Sequence, residues 1–178
     1  MTRKVDLLLY FPLVSGHLDI IKFLKDYTDS LNIPDDNGVT PIHEAARENR
    51  LEVLNYLIPL SSHPNPPDND GNTPMVIAAS RGYVEIVKLL ANHLDSPNEP
   101  EEDGWTPIHG AALEGQIDVI KVLLTYTDNP NIPANDGQTP IGIALEMSEM
   151  SENRKHRKVY RKIMKLLKNH GDANNFEE

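Results

Sequence analysis

The chain has 178 residues, no cysteine and a formal net charge of −10, with 27 Asp and Glu against 17 Lys and Arg. Without cysteine there is no disulfide framework, thiolate metal site or cysteine nucleophile. The acidic balance argues against general nucleic-acid or anionic-membrane binding, which needs clustered cations, and no apolar run approaches the ~18 residues of a membrane span.

The opening, MTRKVDLLLYFPLVSG, imitates a secretory signal, with basic residues ahead of an apolar stretch from Val5 to Val14. Asp6 interrupts that stretch, and Gly16-His17-Leu18-Asp19-Ile20-Ile21 is already in register with a repeat that fills the rest of the chain. No Asn-x-Ser/Thr acceptor occurs, so a cytoplasmic location is expected, with the nucleus as the alternative. A first unit to about residue 36 lacks the later repeat signature and puts Pro12 where later units have Ala. Proline inside a helix costs about 3 kcal/mol. This helix is therefore expected to be short or irregular, either as an atypical cap or because the chain is cut from a longer array.

From residue 37 the period is explicit. Thr40-Pro41, Thr73-Pro74, Thr106-Pro107 and Thr139-Pro140 lie 33 residues apart, with Gly38, Gly71, Gly104 and Gly137 two places ahead of each Thr. A fixed period of this length marks supersecondary units that cannot bury their apolar faces alone and must stack. The units run 37–69, 70–102, 103–135 and 136–172.

In each unit Thr-Pro predicts a helix start: the hydroxyl caps free backbone N–H groups, and Pro fits the first helical position. Ala45-Ala46, Ala78-Ala79 and Ala111-Ala112 allow close packing of this first helix, and Asn49, Gly82 and Gly115 end it. A second helix follows with one apolar face. Leu51, Val53, Leu54 and Leu57 match Val84, Ile86, Val87 and Leu90, then Ile117, Val119, Ile120 and Leu123. The connections back, such as residues 98–104, are turn-rich, with Asp-Gly or Asn-Gly as tight-turn signals.

The last unit departs from the pattern. About 11 extra residues, near 147–158, precede Ile163, Leu166 and Leu167. Arg154, Lys155, Arg157, Lys158, Arg161, Lys162, Lys165 and Lys168 make the following helix strongly basic. A solvated outer face on a capping helix is the expectation there, with an import or anion-binding patch as the alternative. His170-Gly171-Asp172-Ala173-Asn174 reads as a return to the loop pattern, and residues 173–178 as a short acidic tail.

Thr40-Pro41-Ile42-His43-Glu44-Ala45 and Thr106-Pro107-Ile108-His109-Gly110-Ala111 meet the pattern T-P-L-H-x-A, and the chain resembles the ankyrin-repeat family over about residues 15–172. The resemblance implies one all-α solenoid of about five units, residues 1–172, built from stacked helix pairs with projecting β-hairpin loops. It also implies that His43 and His109 tie one loop to the next. The remaining histidines have no ligand-like spacing, and no phosphate loop, nucleophile elbow or metalloprotease motif occurs. No enzyme activity, cofactor or metal is therefore expected.

The implied function is protein–protein recognition through loop tips and the concave first-helix face. Trp105, the only tryptophan, sits at a tip in phase with Val39, Asn72 and Gln138; it is either a binding anchor or local packing against a neighbouring loop. Asp35, Asp36, Asp68, Asp70, Glu99, Glu101, Glu102, Asp103 and Asp136 form an acidic row that would steer a basic partner surface or serve as a solubilising edge. Arg47, Glu48, Ser80, Arg81, Leu113, Glu114 and Glu146 vary within a repeating frame, and Ile77 with Leu113 is expected to supply an apolar centre beside Trp105. The expected partner is another protein bound by a monomer acting as an adaptor or scaffold. An inhibitory regulator of an enzyme or transcription factor, and a spacer in a longer protein, are the alternatives.

Overall fold

The computed structural model describes residues 15–27 and 30–173; Pro12 and the apolar run from Val5 to Val14 lie outside the described residues. Among these residues there are nine α-helices and no strand. They are α1 (Leu18–Leu24), α2 (Pro41–Arg47), α3 (Leu51–Leu57), α4 (Pro74–Arg81) and α5 (Val84–Ala91), then α6 (Pro107–Leu113), α7 (Ile117–Leu123), α8 (Pro140–Met150) and α9 (Arg154–Ala173).

Two rows of helices result. The first helices α2, α4, α6 and α8 pack in sequence against one another, as do the second helices α3, α5, α7 and α9, and each unit's two helices pair. Their side chains meet in one continuous core. The predicted apolar stripes form it: Val53, Leu54 and Leu57, then Ile86, Val87 and Leu90, then Val119, Ile120 and Leu123 are buried, together with the alanine pairs of the first helices. Burial of these side chains at about 25 cal/mol per Å² is what drives stacking, because an isolated seven-residue helix is unstable in water.

Each Thr-Pro opens its helix as predicted. The hydroxyls of Thr73 and Thr139 accept from the amides of Val76 and Gly142, and the prolines occupy the first turn. A cap that sequence reasoning passed over lies ten residues upstream. Asn32, Asn65, Asn98 and Asn131, equally periodic, each accept through Oδ1 from the second amide of the next unit's first helix, at 2.8–3.2 Å. Asn32 also donates through Nδ2 to Ser61 Oγ. Thr127 stands in that place relative to Asn98, but its hydroxyl donates to the Asn129 carbonyl, and the buried Asn98 Nδ2 is left unpaired.

The first helices end as expected, with Asn49 at φ 55 and Gly115 at φ 73 in the left-handed region. Gly115 also meets the last unit, since a Cβ there would lie 3.3 Å from Val159 Cγ1. The insertion explains that contact: it lengthens α8 to 11 residues and α9 to 20. The start of α9 thus reaches back over the α6–α7 turn, where Tyr160 donates its hydroxyl to the Leu113 carbonyl at 3.1 Å.

The projecting hairpin loops are present in reduced form, each closed at its tip with no strand among the described residues. In the loop 35–39 the Asp35 amide donates to Val39 O and the Gly38 amide to Asp35 O, and loops 68–72, 101–105 and 134–138 repeat both bonds. Arms this short cannot extend a ladder. At the other end, α9 continues through Ala173 where residues 170–174 were expected to return to a loop. His170 is fixed there by a 2.8 Å bond from Nε2 to the Thr127 carbonyl.

Candidate protein-binding surface

The tip loops are rigidified by their own side chains. Asp35 Oδ1 accepts from the amides of Asn37 and Val39, and Asp68 Oδ1 from those of Asp70 and Asn72. Those two carboxylates are therefore spent on the turn. Successive tips are then laced together. The Asn69 amide donates to Asn37 O and its side chain to Asp36 O; the Asn135 amide donates to Asp103 O and its side chain to Glu102 O.

His43 and His109 supply a second kind of tie, as the resemblance implied. Nδ1 of His43 accepts from the Thr40 amide at 3.0 Å, which fixes the proton on Nε2, and Nε2 donates to the Asn72 carbonyl at 3.1 Å. His109 does the same between the Thr106 amide and the Gln138 carbonyl. Burial pushes both imidazoles below their ordinary pKa, with the carbonyl bonds and nearby aspartates acting weakly the other way. The neutral ring is the one that can accept and donate at once.

The junction between the third and fourth units lacks both ties. Val76 stands in the histidine slot, and Glu102 stands where Asn69 and Asn135 donate; a carboxylate has no proton to give. Glu101 takes over part of the work. Its longer side chain turns inward and Oε1 accepts from the Thr73 amide at 2.8 Å, the amide that a histidine at position 76 would have satisfied. Partial burial raises its pKa to about 7, with Asp103 and Asp68 adding to the shift and the Thr73 bonds opposing it. Above Glu101 the two tips stand apart, leaving a gap of about 250 Å³ walled by Asn69, Asp70, Gly71, Glu102 and Asp103.

The expected site residues fall into two groups. Asn72, Glu102, Asp103 and Gln138 are exposed at the tips, and Val39 is half-buried there. Trp105 is half-buried, packed on the core edge and tilted over His109 with ring centroids 5.0 Å apart. Its indole Nε1 has no acceptor among the described residues and lies toward α6, 3.7 Å from where a Cβ on Gly110 would stand. Arg47, Arg81, Leu113 and Glu114 lie at the opposite ends of the first helices. Arg47 is ion-paired to Glu44, while Arg81, Leu113 and Glu114 are exposed. Leu113 is a helix length, about 10 Å, from Trp105, and Ile77 is half-buried in α4. The structure does not bring Leu113 beside Trp105.

Among the described residues no group of three or more His, Asp or Glu is placed to hold a metal ion, and no helix is long and apolar enough to cross a membrane. No curated protein matches the chain. The family model described as ankyrin repeats (3 copies) matches residues 7–68 and 60–136, which leaves the lengthened last unit outside the match. With the 33-residue period, the Thr-Pro caps and the histidine ties all in place, the chain belongs to the ankyrin-repeat family, whose members are in general protein–protein interaction modules and typically non-catalytic.

Proposed function

We propose that this chain is a non-catalytic adaptor that binds a protein partner with a basic surface through its tip loops and the first-helix row. The observation that carries this reading is the gap between loops 68–72 and 101–105. Asp70, Glu102 and Asp103 border it; Asp70 and Glu102 make no ion pair among the described residues, and Asp103 gives one oxygen to the Trp105 amide. A lysine or arginine side chain entering the gap would meet carboxylates on both sides, and Trp105 closes the loop that forms one of those sides. Laced tips on either side hold the rim in place, so little ordering entropy is lost on binding. A monomer in the cytoplasm fits this role.

The direct test is Trp105→Ala. Tryptophan at an interface centre contributes about 2 kcal/mol or more, so partner affinity is expected to fall at least ~30-fold while the far-ultraviolet circular dichroism spectrum is unchanged. Unchanged affinity with a lowered melting temperature would assign Trp105 to packing and remove it from the site.

A further inference from the structure

Eight exposed cations project from α9, and none has an anionic partner among the described residues. Ion pairs lie on other helices, as Arg47–Glu44, Lys88–Glu85 and Lys121–Asp118. With Asp172 this helix carries +7, so the rest of the chain carries −17. Arg154, Lys158, Arg161, Lys165 and Lys168 follow one another at alternating steps of four and three, a line of like charges that repel along the helix. Solubility does not require this, since the rest of the chain is already highly charged.

Beside that line runs a groove of about 510 Å³ between α7 and α9. Ile117 and Leu166, both half-buried, give it an apolar floor, and Lys121, Lys162 and Lys165 form its rim. Asp118 in the wall is paired with Lys121 at 2.8 Å. Farther along α9, Arg154, Arg157, Lys158 and Arg161 surround a second depression of about 220 Å³. The groove lies on the second-helix row, whereas the tip loops lead into the first helices.

We infer that the α7–α9 groove is a second interaction surface, which takes a short acidic segment of a protein partner with an apolar residue seated on Ile117 and Leu166. From Arg154 to Lys168 the cationic line is about 21 Å long, the span of roughly six or seven extended residues. A segment of that size stays within about one Debye length, ~8 Å, of α9; a nucleic-acid duplex would run on over the acidic remainder. A bilayer fits less well, because Ile163 and Leu167 are buried in the core and leave α9 no apolar face to insert.

The test is fluorescence anisotropy with a labelled ten-residue glutamate peptide carrying two central leucines, at low ionic strength. Saturable binding is expected, weakened about tenfold or more by Lys162→Glu with Lys165→Glu, and severalfold when serines replace the leucines. Lys162→Gln with Lys165→Gln should fall between, and Trp105→Ala should bind as the parent does, which separates this surface from the tips. The inference is overturned by absence of saturable binding, by equal binding to the charge-reversed protein or the serine peptide, or by tighter binding to phosphatidylserine vesicles or a single-stranded oligonucleotide.

Discussion

His109→Ala is expected to lower stability by about 2–3 kcal/mol at pH 8. The substitution strands the buried Thr106 amide, whose acceptor was Nδ1, and frees the Gln138 carbonyl from Nε2. An unmet buried donor costs about 1–3 kcal/mol, and the packing of the imidazole against Trp105 is lost as well. The pH dependence distinguishes this mechanism from a simple cavity. The folded-state pKa of His109 is lowered from 6.5, so its stabilising contribution is complete above 6.5 and declines as pH falls through the lower folded value. The gap between parent and variant, measured by urea denaturation, should therefore narrow below about pH 6.5. A gap that stays constant from pH 8 to 5 would show that the tie does not depend on the neutral ring.

Glu101→Gln is expected to act in the opposite sense. Its folded pKa is raised from 4.5 to about 7, so the folded protein bears the cost of ionising it at pH 8. The contribution turns favourable as pH falls through 7 and is complete below 4.5. Glutamine keeps an oxygen acceptor for the Thr73 amide and removes the charge. After discounting for a half-exposed group, melting at pH 8 should rise by about 2–4 °C, roughly 1 kcal/mol for a domain of this size. The variant should also lose the gain that the parent makes between pH 7 and 4.5, leaving the histidine losses uncovered. Glu101→Ala removes the acceptor altogether and should be destabilising by about 1–3 kcal/mol below pH 4.5 and by less at pH 8, where it also removes the cost of ionisation. If Gln and Ala behave alike at pH 8, Glu101 is not the acceptor for Thr73.

These two residues also show where the sequence was legible. The histidine tie could be expected from the family resemblance, because the whole motif around His109 is local and repeats at His43. The helices and their buried faces were equally accessible, since a Thr-Pro start and an apolar spacing of three and four determine them within a few residues. From the sequence Glu101 reads as part of an outward acidic edge, along with Glu102 and Asp103, because side-chain reach between units is not a periodic property. The signal was present: Val76 breaks the histidine phase, and at the end of the same unit Glu101 replaces the aspartate phase of Asp35 and Asp68. Two departures at one junction marked a compensating pair. The asparagine phase was visible as well, but its acceptor role depends on a chain reversal ten residues long. The lost neighbourhood of Leu113 and Trp105 has a simpler cause, because the two lie at opposite ends of α6.

The acidic gap and the loop that carries Trp105 form the proposed partner-binding surface. It is tested most directly by affinity capture from native lysate with the intact chain and with Trp105→Ala combined with Glu102→Lys, after circular dichroism has shown both to be folded. The expected result is a protein with a basic surface that the parent retains in salt-sensitive yield and the double variant loses. Retention of the same protein by both baits would contradict it and move the binding surface away from the tips.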